Sequence, residues 1–320
     1  MNKQDTIYVA GHTGLVGSAL VRELEREGYE NIVTATHDEL DLTDQAATYA
    51  WFEKHRPDYV FLAAAKVGGI GANSSQPAEF LSKNLAISHH VIEAARAVGV
   101  KKLVNLGSSC IYPRDAEQPI REEALLTGAL EPTNEPYAIA KIAALKLCEA
   151  NNAQHGTNFI SLMPTNLYGP GDNYDPETSH VLPALIAKFH SAKASGDACV
   201  ELWGDGSPLR EFLYVDDLAQ AALFAMDNFE ATEYPSWINV GSGQEVAIGR
   251  LANIVREVVF ADEIAHGEGN RLPQITWDTS KPNGTPRKLL DSSRISALGW
   301  TPSTSLFEGI EATYEDYCSL

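Results

Sequence analysis

The sequence is poor in positive charge and has no long hydrophobic run. Of its 320 residues, 24 are Lys or Arg and 43 are Asp or Glu, which gives a formal net charge of −19. Nucleic acids and anionic membranes bind basic surfaces, so this balance argues against both as partners. No apolar run approaches the length that spans a bilayer, and a first strand predicted from Thr6 leaves no room for a signal peptide. We therefore expect a cytoplasmic protein.

Cysteine is also scarce. The four cysteines are scattered without a C-x-x-C motif or a paired spacing, at Cys110, Cys148, Cys199 and Cys318. This pattern predicts neither a metal site nor a disulfide framework, and it favours a reducing compartment. The apolar content of 44% and the charged content of 21% are typical of a globular enzyme with a substantial core.

Short apolar runs alternate with helical stretches, which is typical of a parallel sheet covered on both faces. The pattern predicts an α/β fold: a Rossmann-type doubly wound parallel sheet with a smaller mixed α/β C-terminal substrate lobe. Residues 1–165 and about 212–243 are assigned to the first lobe, and about 166–211 and 244–320 to the second. The strands are predicted at 6–10, 32–35, 59–62, 103–106 and 159–163, and the helices from after Gly17 to about 27 and near 43–55, 84–98 and 137–152.

The first predicted strand leads into Gly11-His-Thr-Gly14-Leu-Val-Gly17 and then into a helix. Strand, glycine turn and helix is the order that binds a dinucleotide diphosphate at a helix N-terminus. The spacing is G-x-x-G-x-x-G, and taken alone it also suits an ordinary glycine-rich end of a strand. Ligands of such sheets lie beyond the carboxyl ends of the strands, where Gly11, Ala63–Ala65, Gly107–Ser109 and Pro164–Leu167 are expected to form one rim.

Tyr137 and Lys141 stand four residues apart in a predicted helix, so both side chains project from one face. A fixed ammonium near a phenol favours the phenolate, and we expect Lys141 to lower the pKa of Tyr137. The pair then provides a proton donor for a carbonyl oxygen.

The glycine turn, Ser108, Tyr137 and Lys141 resemble the extended short-chain dehydrogenase/reductase superfamily, whose members act on nucleotide sugars. Within it, the sequence is similar to the GDP-L-fucose synthases, a family of 3,5-epimerase/4-reductases that act on GDP-4-keto-6-deoxymannose. The similarity runs from the first strand to about Tyr314. It is carried by the strings GHTGLVGSAL, AAAKVGGI, GSSCIYP, EPTNEPYAIAK, MPTNLYGPGDN, REFLYVDD and KPNGTPRKLLD.

The resemblance implies catalytic roles for Ser108, Cys110, Tyr137, Lys141 and His180. Ser108, Tyr137 and Lys141 would reduce the C4 ketone with a nicotinamide cofactor. Cys110 and His180 would exchange the protons at C3 and C5, with the choice of base and acid open. From the residues alone, Cys110 equally suits a small buried filler, and His180 a cap of the following helix.

NADP is the cofactor that the resemblance implies. However, Thr13 and His37 stand where members that use NADPH often have Arg, so NAD stays an alternative, with Asp38 adjacent. The implied cofactor contacts are Gly11, Thr13, Gly14, Leu15, Val16, Gly17, His37, Asp41, Leu42, Ala63, Leu106, Gly107, Ser108, Lys141, Pro164, Thr165, Asn166, Leu167 and His180.

A GDP-sugar is the implied substrate, with Lys188, Trp203, Arg210 and Asp278 as its contacts. Arg210 suits a diphosphate, because a guanidinium binds phosphate oxygens in bidentate fashion. A homodimer through the helices at 84–98 and 137–152 is also implied. The alternatives are a GDP-colitose synthase, a nucleotide-sugar 4-epimerase or 4,6-dehydratase, and a non-catalytic nucleotide-binding protein.

Overall fold

The computed structural model of the chain describes residues 1–176, 178–233, 235–267, 272–281 and 283–320. Its strands are β1 Ile7–Ala10, β2 Ile32–Val33, β3 Tyr59–Leu62, β4 Lys102–Leu106, β5 Phe159–Pro164, β6 Asn166–Tyr168, β7 Cys199–Trp203, β8 Leu209–Tyr214, β9 Trp237–Val240, β10 Glu245–Ala247, β11 Gln274–Asp278 and β12 Arg287–Lys288. Its helices are α1 Leu15–Arg26, α2 Gln45–His55, α3 Ile70–Ser75, α4 Pro77–Val98, α5 Glu135–His155, α6 Val181–Ser195, α7 Val215–Asn228, α8 Ile248–Val259, α9 Ala261–Ala265, α10 Ser293–Leu298 and α11 Leu306–Cys318. Short 3₁₀ turns lie at Ser109–Ile111 and Glu122–Ala124.

The main sheet has six parallel strands in the order β2-β1-β3-β4-β5-β9. Both of its faces are covered, because nearly every residue of these apolar strands is buried. On one face, α1 and α7 pack with Leu20 and Leu218; on the other, α2, α4 and α5 pack with Phe52, Val91 and Ala144. The predicted doubly wound α/β sheet is confirmed.

The predicted boundaries differ from the structure by about one to three residues at most elements, and by more at the start of α4. Strand β2 ends at Val33 instead of Ala35, and it is a half-buried edge strand with only β1 as a neighbour. Helix α4 begins at Pro77, well before the predicted start at Asn84. Proline suits the first turn of a helix, because its fixed φ matches and its missing N–H has no partner there.

A second lobe begins where β6 directly follows β5. Strands β10, β8 and β12 form a sheet in that order, β6 also pairs with β8, and β7 pairs with β11 in a separate parallel pair. These strands pack on α6, α8 and α11 through a third apolar cluster that includes Phe189, Leu251 and Ile310. Among the described helices, none has the length and apolarity that crossing a membrane requires.

Candidate active site

The turn after β1 has the backbone that its glycines predict. Gly11 has φ +85, and a Cβ there would lie 2.7 Å from the Ala64 backbone. A Cβ on Gly17 would lie 2.0 Å from the Gly11 carbonyl oxygen, whereas one on Gly14 would meet only that oxygen, at 3.6 Å. Gly11 and Gly17 are therefore required by the protein's own packing. Gly14 is the exposed cap residue of α1, and it forms no side-chain capping hydrogen bond to the N-terminal amides.

The predicted rim is confirmed. Because β1, β3, β4 and β5 are adjacent and parallel, their carboxyl ends lie side by side. A Cβ on Gly107 would lie 2.3 Å from the Met163 side chain, so the chain leaves β4 in close contact with β5. The strand ends bring together Gly11, Ala63, Leu106, Gly107, Ser108, Pro164 and Thr165, with Thr13, Leu15 and Val16 at the adjoining start of α1.

Past the end of β2, the structure places His37, Asp41 and Leu42 in one connection before α2. Leu42 is buried, and the Asp41 carboxylate accepts hydrogen bonds from the Thr43 amide at 2.8 Å and hydroxyl at 2.7 Å. These bonds, and further the charge of His37, lower the pKa of Asp41. His37 is exposed and lies within electrostatic reach of that carboxylate.

Ser108, Tyr137 and Lys141 meet at the end of β4. The Lys141 ammonium is buried and donates to the Leu106 carbonyl at 2.7 Å, and it lies 5.8 Å from the centroid of the Tyr137 ring. Ser108 begins the 3₁₀ turn, and its hydroxyl accepts from the Cys110 amide at 3.2 Å. Helix α5 and strand β4 thus present a hydroxyl, a phenol and an ammonium to one place.

The expectation that Lys141 lowers the pKa of Tyr137 is wrong. Burial raises the pKa of the phenol, negative charge at Cys110 adds to the rise, and only the hydrogen bond with Ser108 opposes it. Burial also lowers the pKa of Lys141 to about 8. The Lys141 ammonium is directed at a carbonyl, so desolvation outweighs its attraction for a phenolate. Tyr137 is therefore a phenol at neutral pH, the form that donates a proton.

Cys110 is half-buried on the turn that follows Ser108. The Asn134 side-chain amide donates to its sulfur at 3.6 Å, and the Lys288 ammonium lies 3.8 Å from the same sulfur. A side chain between two polar donors is not an apolar filler. The structure thus favours the chemical reading of Cys110 over the packing alternative.

His180 is the residue that precedes α6, yet its ring makes no capping hydrogen bond. The residue is exposed at the surface, although surrounding protein desolvates its ring. The surrounding protein and, further, the charge of Lys288 lower its pKa, so the imidazole is neutral at neutral pH. The Gly69 amide donates to the Thr178 carbonyl at 2.9 Å, which joins the loop after β3 to the segment before His180.

Two cations lie on neighbouring strands of the second sheet. Arg210 and Lys288 are paired in register between the parallel strands β8 and β12, so both side chains leave the same face. Arg210 is half-buried, its guanidinium donates to the Leu209 carbonyl at 2.8 Å, and burial lowers its pKa. Within the described ranges, neither cation forms an ion pair with a carboxylate. In an acidic protein this pair is a local concentration of positive charge.

A buried carboxylate fixes these strands against the rim. Glu211 accepts from the Gly243 amide at 2.7 Å and the Leu290 amide at 3.0 Å, and burial raises its pKa. Its main-chain carbonyl accepts from the Asn166 amide group at 2.7 Å and the Thr165 hydroxyl at 3.2 Å. Glu211 therefore connects the end of β5 to the strands that carry Arg210 and Lys288.

The other predicted substrate contacts group around β7 and β11. Trp203 and Asp278 are partners in that strand pair, and Trp203 is 67% exposed with the Lys281 ammonium 5.5 Å from its ring centroid. Asp278 accepts from the Ser280 hydroxyl at 2.6 Å. Lys188 extends from α6 and donates to the Glu201 carbonyl on β7 at 3.0 Å. Leu167 lies on β6, next to Asn166, at the entry to this lobe.

Sequence reasoning missed Asn134, Glu39 and the position of Lys288. Glu39 accepts from the Thr36 amide at 2.8 Å and hydroxyl at 2.9 Å, and so closes the turn that leads to His37. Asn134 immediately precedes α5, which carries Tyr137, so its place beside the site was accessible from the sequence. Nothing in the spacing from Cys110 to Lys288 indicated their contact. No cluster of three or more His, Cys, Asp or Glu suited to a metal occurs in the described part of the chain.

Residues 7–241 match the model of the NAD dependent epimerase/dehydratase family. The chain belongs to this family. It is 56% identical over 316 residues to GDP-L-fucose synthase 1 of Arabidopsis thaliana, covering 99% of this chain and 94% of that protein. It is 49% identical over 321 residues to GDP-L-fucose synthase of Escherichia coli (strain K12), covering 98% and 97% of the two chains.

Among solved structures, the fold is similar to a GDP-L-fucose synthetase from Naegleria fowleri bound to NADP, with a TM-score of 0.87 and 30% identity over 100% of this chain and 95% of that one. The epimerase/dehydratase range includes the glycine turn, Ser108, Tyr137 and His180. Lys288 lies beyond it, in the part that only the longer similarities cover.

Proposed function

We propose that this protein converts GDP-4-keto-6-deoxy-D-mannose into GDP-L-fucose by epimerisation at C3 and C5 and reduction at C4. The observation that carries the proposal is that Ser108 and Cys110 share one turn at the end of β4. The turn places the hydroxyl suited to ketone reduction next to a thiol that is contacted by a polar side chain. GDP-L-fucose synthases at 49% and 56% identity over nearly the whole chain support the same function.

The residues at the rim fit NADP. The N-terminus of α1 has free amides, and Gly14 leaves room for a diphosphate, which binds favourably at such a terminus. Thr13 and His37 would lie at the adenosine ribose, and Lys141 at the nicotinamide ribose. NADPH supplies the hydride for C4 when bound. The exposed imidazole of His37, in place of a guanidinium, is the group that would meet the 2′-phosphate.

Reduction needs a proton at the C4 oxygen as the carbonyl becomes an alkoxide. Tyr137 donates it, because burial keeps the phenol protonated. Ser108 lies beside the phenol and hydrogen-bonds the same oxygen, which stabilises the developing charge in the transition state. Lys141, fixed by the Leu106 carbonyl, would hold the nicotinamide ribose and keeps a cation near the reacting centre.

Epimerisation at C3 and C5 requires removal of a proton from one face of the sugar and its return on the other. Both carbons are α to the C4 ketone, so the electron pair moves to the carbonyl oxygen, where Tyr137 and Ser108 hold the enolate. Cys110 and His180 are the acid/base pair, since a thiol and an imidazole cycle near neutral pH. One oxygen site thus serves all three steps.

The second lobe binds the nucleotide. Arg210 and Lys188 supply positive charge for the GDP diphosphate, Trp203 presents an exposed ring for stacking, and Asp278 offers a carboxylate beside it. We assign this role to residues 166–211 and 244–320, and cofactor binding to 1–165 with 212–243. A 4,6-dehydratase is disfavoured because Ser109-Cys110 stands where dehydratases typically carry an Asp-Glu pair.

The test is to incubate the protein with GDP-4-keto-6-deoxymannose and NADPH in heavy water and to analyse the product by NMR. We expect GDP-L-fucose with deuterium at C3 and C5 and hydrogen at C4 delivered from NADPH. Reduction without inversion at C3 and C5, or no turnover at all, contradicts the proposal. Repetition with NADH measures cofactor preference directly.

We further propose a cytoplasmic homodimer that pairs through α4 and α5. The unpaired cysteines suit a reducing compartment. Leu85 on α4 and Ile139 on α5 are exposed apolar side chains on these two adjacent helices, at 36% and 42% exposure. Light scattering after gel filtration tests the dimer, and Ile139→Glu should shift it toward the monomer. A monomeric wild-type protein contradicts this proposal.

A further inference from the structure

We propose that Lys288 is a positioning residue for proton exchange at C3 and C5, because its ammonium pairs with the Cys110 sulfur and stabilises the thiolate. This rests on the proposed epimerase function and deepens it. The half-reaction that Cys110 performs needs the thiolate: the C–H bond breaks, the S–H bond forms, and the electron pair moves to the C4 oxygen. A thiol cannot accept that proton.

The contact is built by the fold. Lys288 lies on β12, whose register with β8 is fixed at two pairs, Arg287 with Leu209 and Lys288 with Arg210. Directly after β12, the Leu290 amide donates to the buried Glu211 carboxylate at 3.0 Å. The Lys288 ammonium then reaches the Cys110 sulfur at 3.8 Å from the side of the second lobe. The Asn134 amide approaches that sulfur at 3.6 Å from the start of α5.

Other charged groups line the cleft beside Cys110, from the loop after the 3₁₀ turn, the segment before α5 and β12. Two of the cations have carboxylate partners: Arg114 pairs with Asp115 at 3.1 Å, and Arg287 with Glu245 at 2.7 Å. Glu131 also lines the cleft, and it accepts from the Thr133 amide at 3.0 Å.

On the cofactor side, the Lys141 ammonium interacts electrostatically with Cys110, but it donates to a main-chain carbonyl instead of contacting the sulfur, and the neighbouring Tyr137 is a phenol. Among the described cations at the cleft, Lys288 is therefore the one in contact with the sulfur and without a carboxylate partner.

His180 responds to the same charge. Lys288 contributes to the lowered pKa of the imidazole, after burial. A positive charge favours the thiolate at Cys110, which accepts the proton, and it makes a protonated His180 a stronger acid for returning a proton on the opposite face. Lys288 thus links the two groups that the proposed function uses for epimerisation, although it lies far from both in the sequence.

The experiment measures the ionisation of Cys110 directly. Iodoacetamide is reacted with the protein across pH 5 to 10, and the rate at each cysteine is read by peptide mass spectrometry in the wild type, Lys288→Gln and Lys288→Arg. In Lys288→Gln we expect the midpoint of the Cys110 profile to rise by about one pH unit, with a rate at pH 7 about tenfold lower. Lys288→Arg should restore the wild-type profile. Superimposable Cys110 profiles in the wild type and Lys288→Gln overturn the proposal.

Two other cysteines provide controls in the same digest. Cys199 is exposed and Cys148 is buried, so the first should keep its profile and the second should stay unreactive in all variants. Lys288→Met also removes the positive charge, with a side chain that differs in shape from that of Lys288→Gln. If both neutral variants expose Cys148, Lys288 is required for folding and the proposal fails. The assay uses neither GDP-sugar nor NADPH, so its outcome is separate from that of the product experiment.

Discussion

The half of the site that transfers hydride differs from the half that exchanges protons in how the chain builds it. Ser108, Tyr137 and Lys141 lie at the end of β4 and in the first turns of α5, and a backbone carbonyl holds the ammonium. Cys110, His180 and Lys288 come from separate segments of both lobes; Lys288 contacts the Cys110 sulfur through its side chain and acts on His180 through its charge. Reduction therefore depends on the main sheet, whereas epimerisation also depends on how the second lobe is placed against it.

The largest expected effect is on the rate of C4 reduction, and it tests the part of the site that supports hydride transfer. Tyr137→Phe removes the proton donor and should lower the rate of C4 reduction about 10²–10⁴-fold, the usual contribution of a general acid. The ring keeps its edge contact with Phe80, at 6.4 Å between centroids, so stability and NADPH binding should not change. Stopped-flow absorbance of NADPH measures the rate. A variant that reduces at a rate within tenfold of the wild type contradicts the role given to the phenol.

The proton half is tested by Cys110→Ser. A serine hydroxyl ionises far above neutral pH, so deuterium exchange at C3 and C5 should fall at least about 10²-fold, while hydride transfer to a substrate already epimerised should fall less. Cys199→Ser is the matched control, since Cys199 is an exposed cysteine away from the site. NMR in heavy water reads both exchanges. If deuterium exchange at C3 and C5 is unchanged in Cys110→Ser, the thiol has no role in epimerisation. The proposed difference between the hydride-transfer and proton-exchange parts of the site is then wrong.

The same contrast explains what could be predicted from the sequence. Apolar runs and glycine spacing predicted the parallel sheet, the rim and the Tyr137–Lys141 pair, because these follow from backbone periodicity. The contact between Cys110 and Lys288 could not be predicted, because the fold alone brings the two segments together. The pKa of Tyr137 was predicted in the wrong direction, since burial is set by packing and not by spacing along a helix.

A smaller effect is expected at the glycine turn after β1, where Gly17 is required for packing and Gly14 for the approach of the cofactor diphosphate. Gly17→Ala places a Cβ 2.0 Å from the Gly11 carbonyl and should destabilise the protein by about 1–3 kcal/mol through overpacking. Gly14→Ala meets only a 3.6 Å contact, so the melting temperature should not change while NADPH binds more weakly. Calorimetry and fluorescence titration measure the two quantities. Equal NADPH affinity in Gly14→Ala and the wild type would contradict close approach of a diphosphate.

The smallest expected effect tests whether Trp203, in the second lobe, binds the nucleotide or packs the lobe. Trp203 is 67% exposed at the end of β7, so its ring contributes little to the core. Trp203→Ala should raise KM for the GDP-sugar about fivefold, equivalent to about 1 kcal/mol of lost stacking, and leave kcat and the melting temperature unchanged. Trp203→Phe should recover most of the affinity. If the alanine variant instead melts earlier with an unchanged KM, Trp203 packs the lobe, and the nucleotide must rely on Arg210 and Lys188 for its contacts.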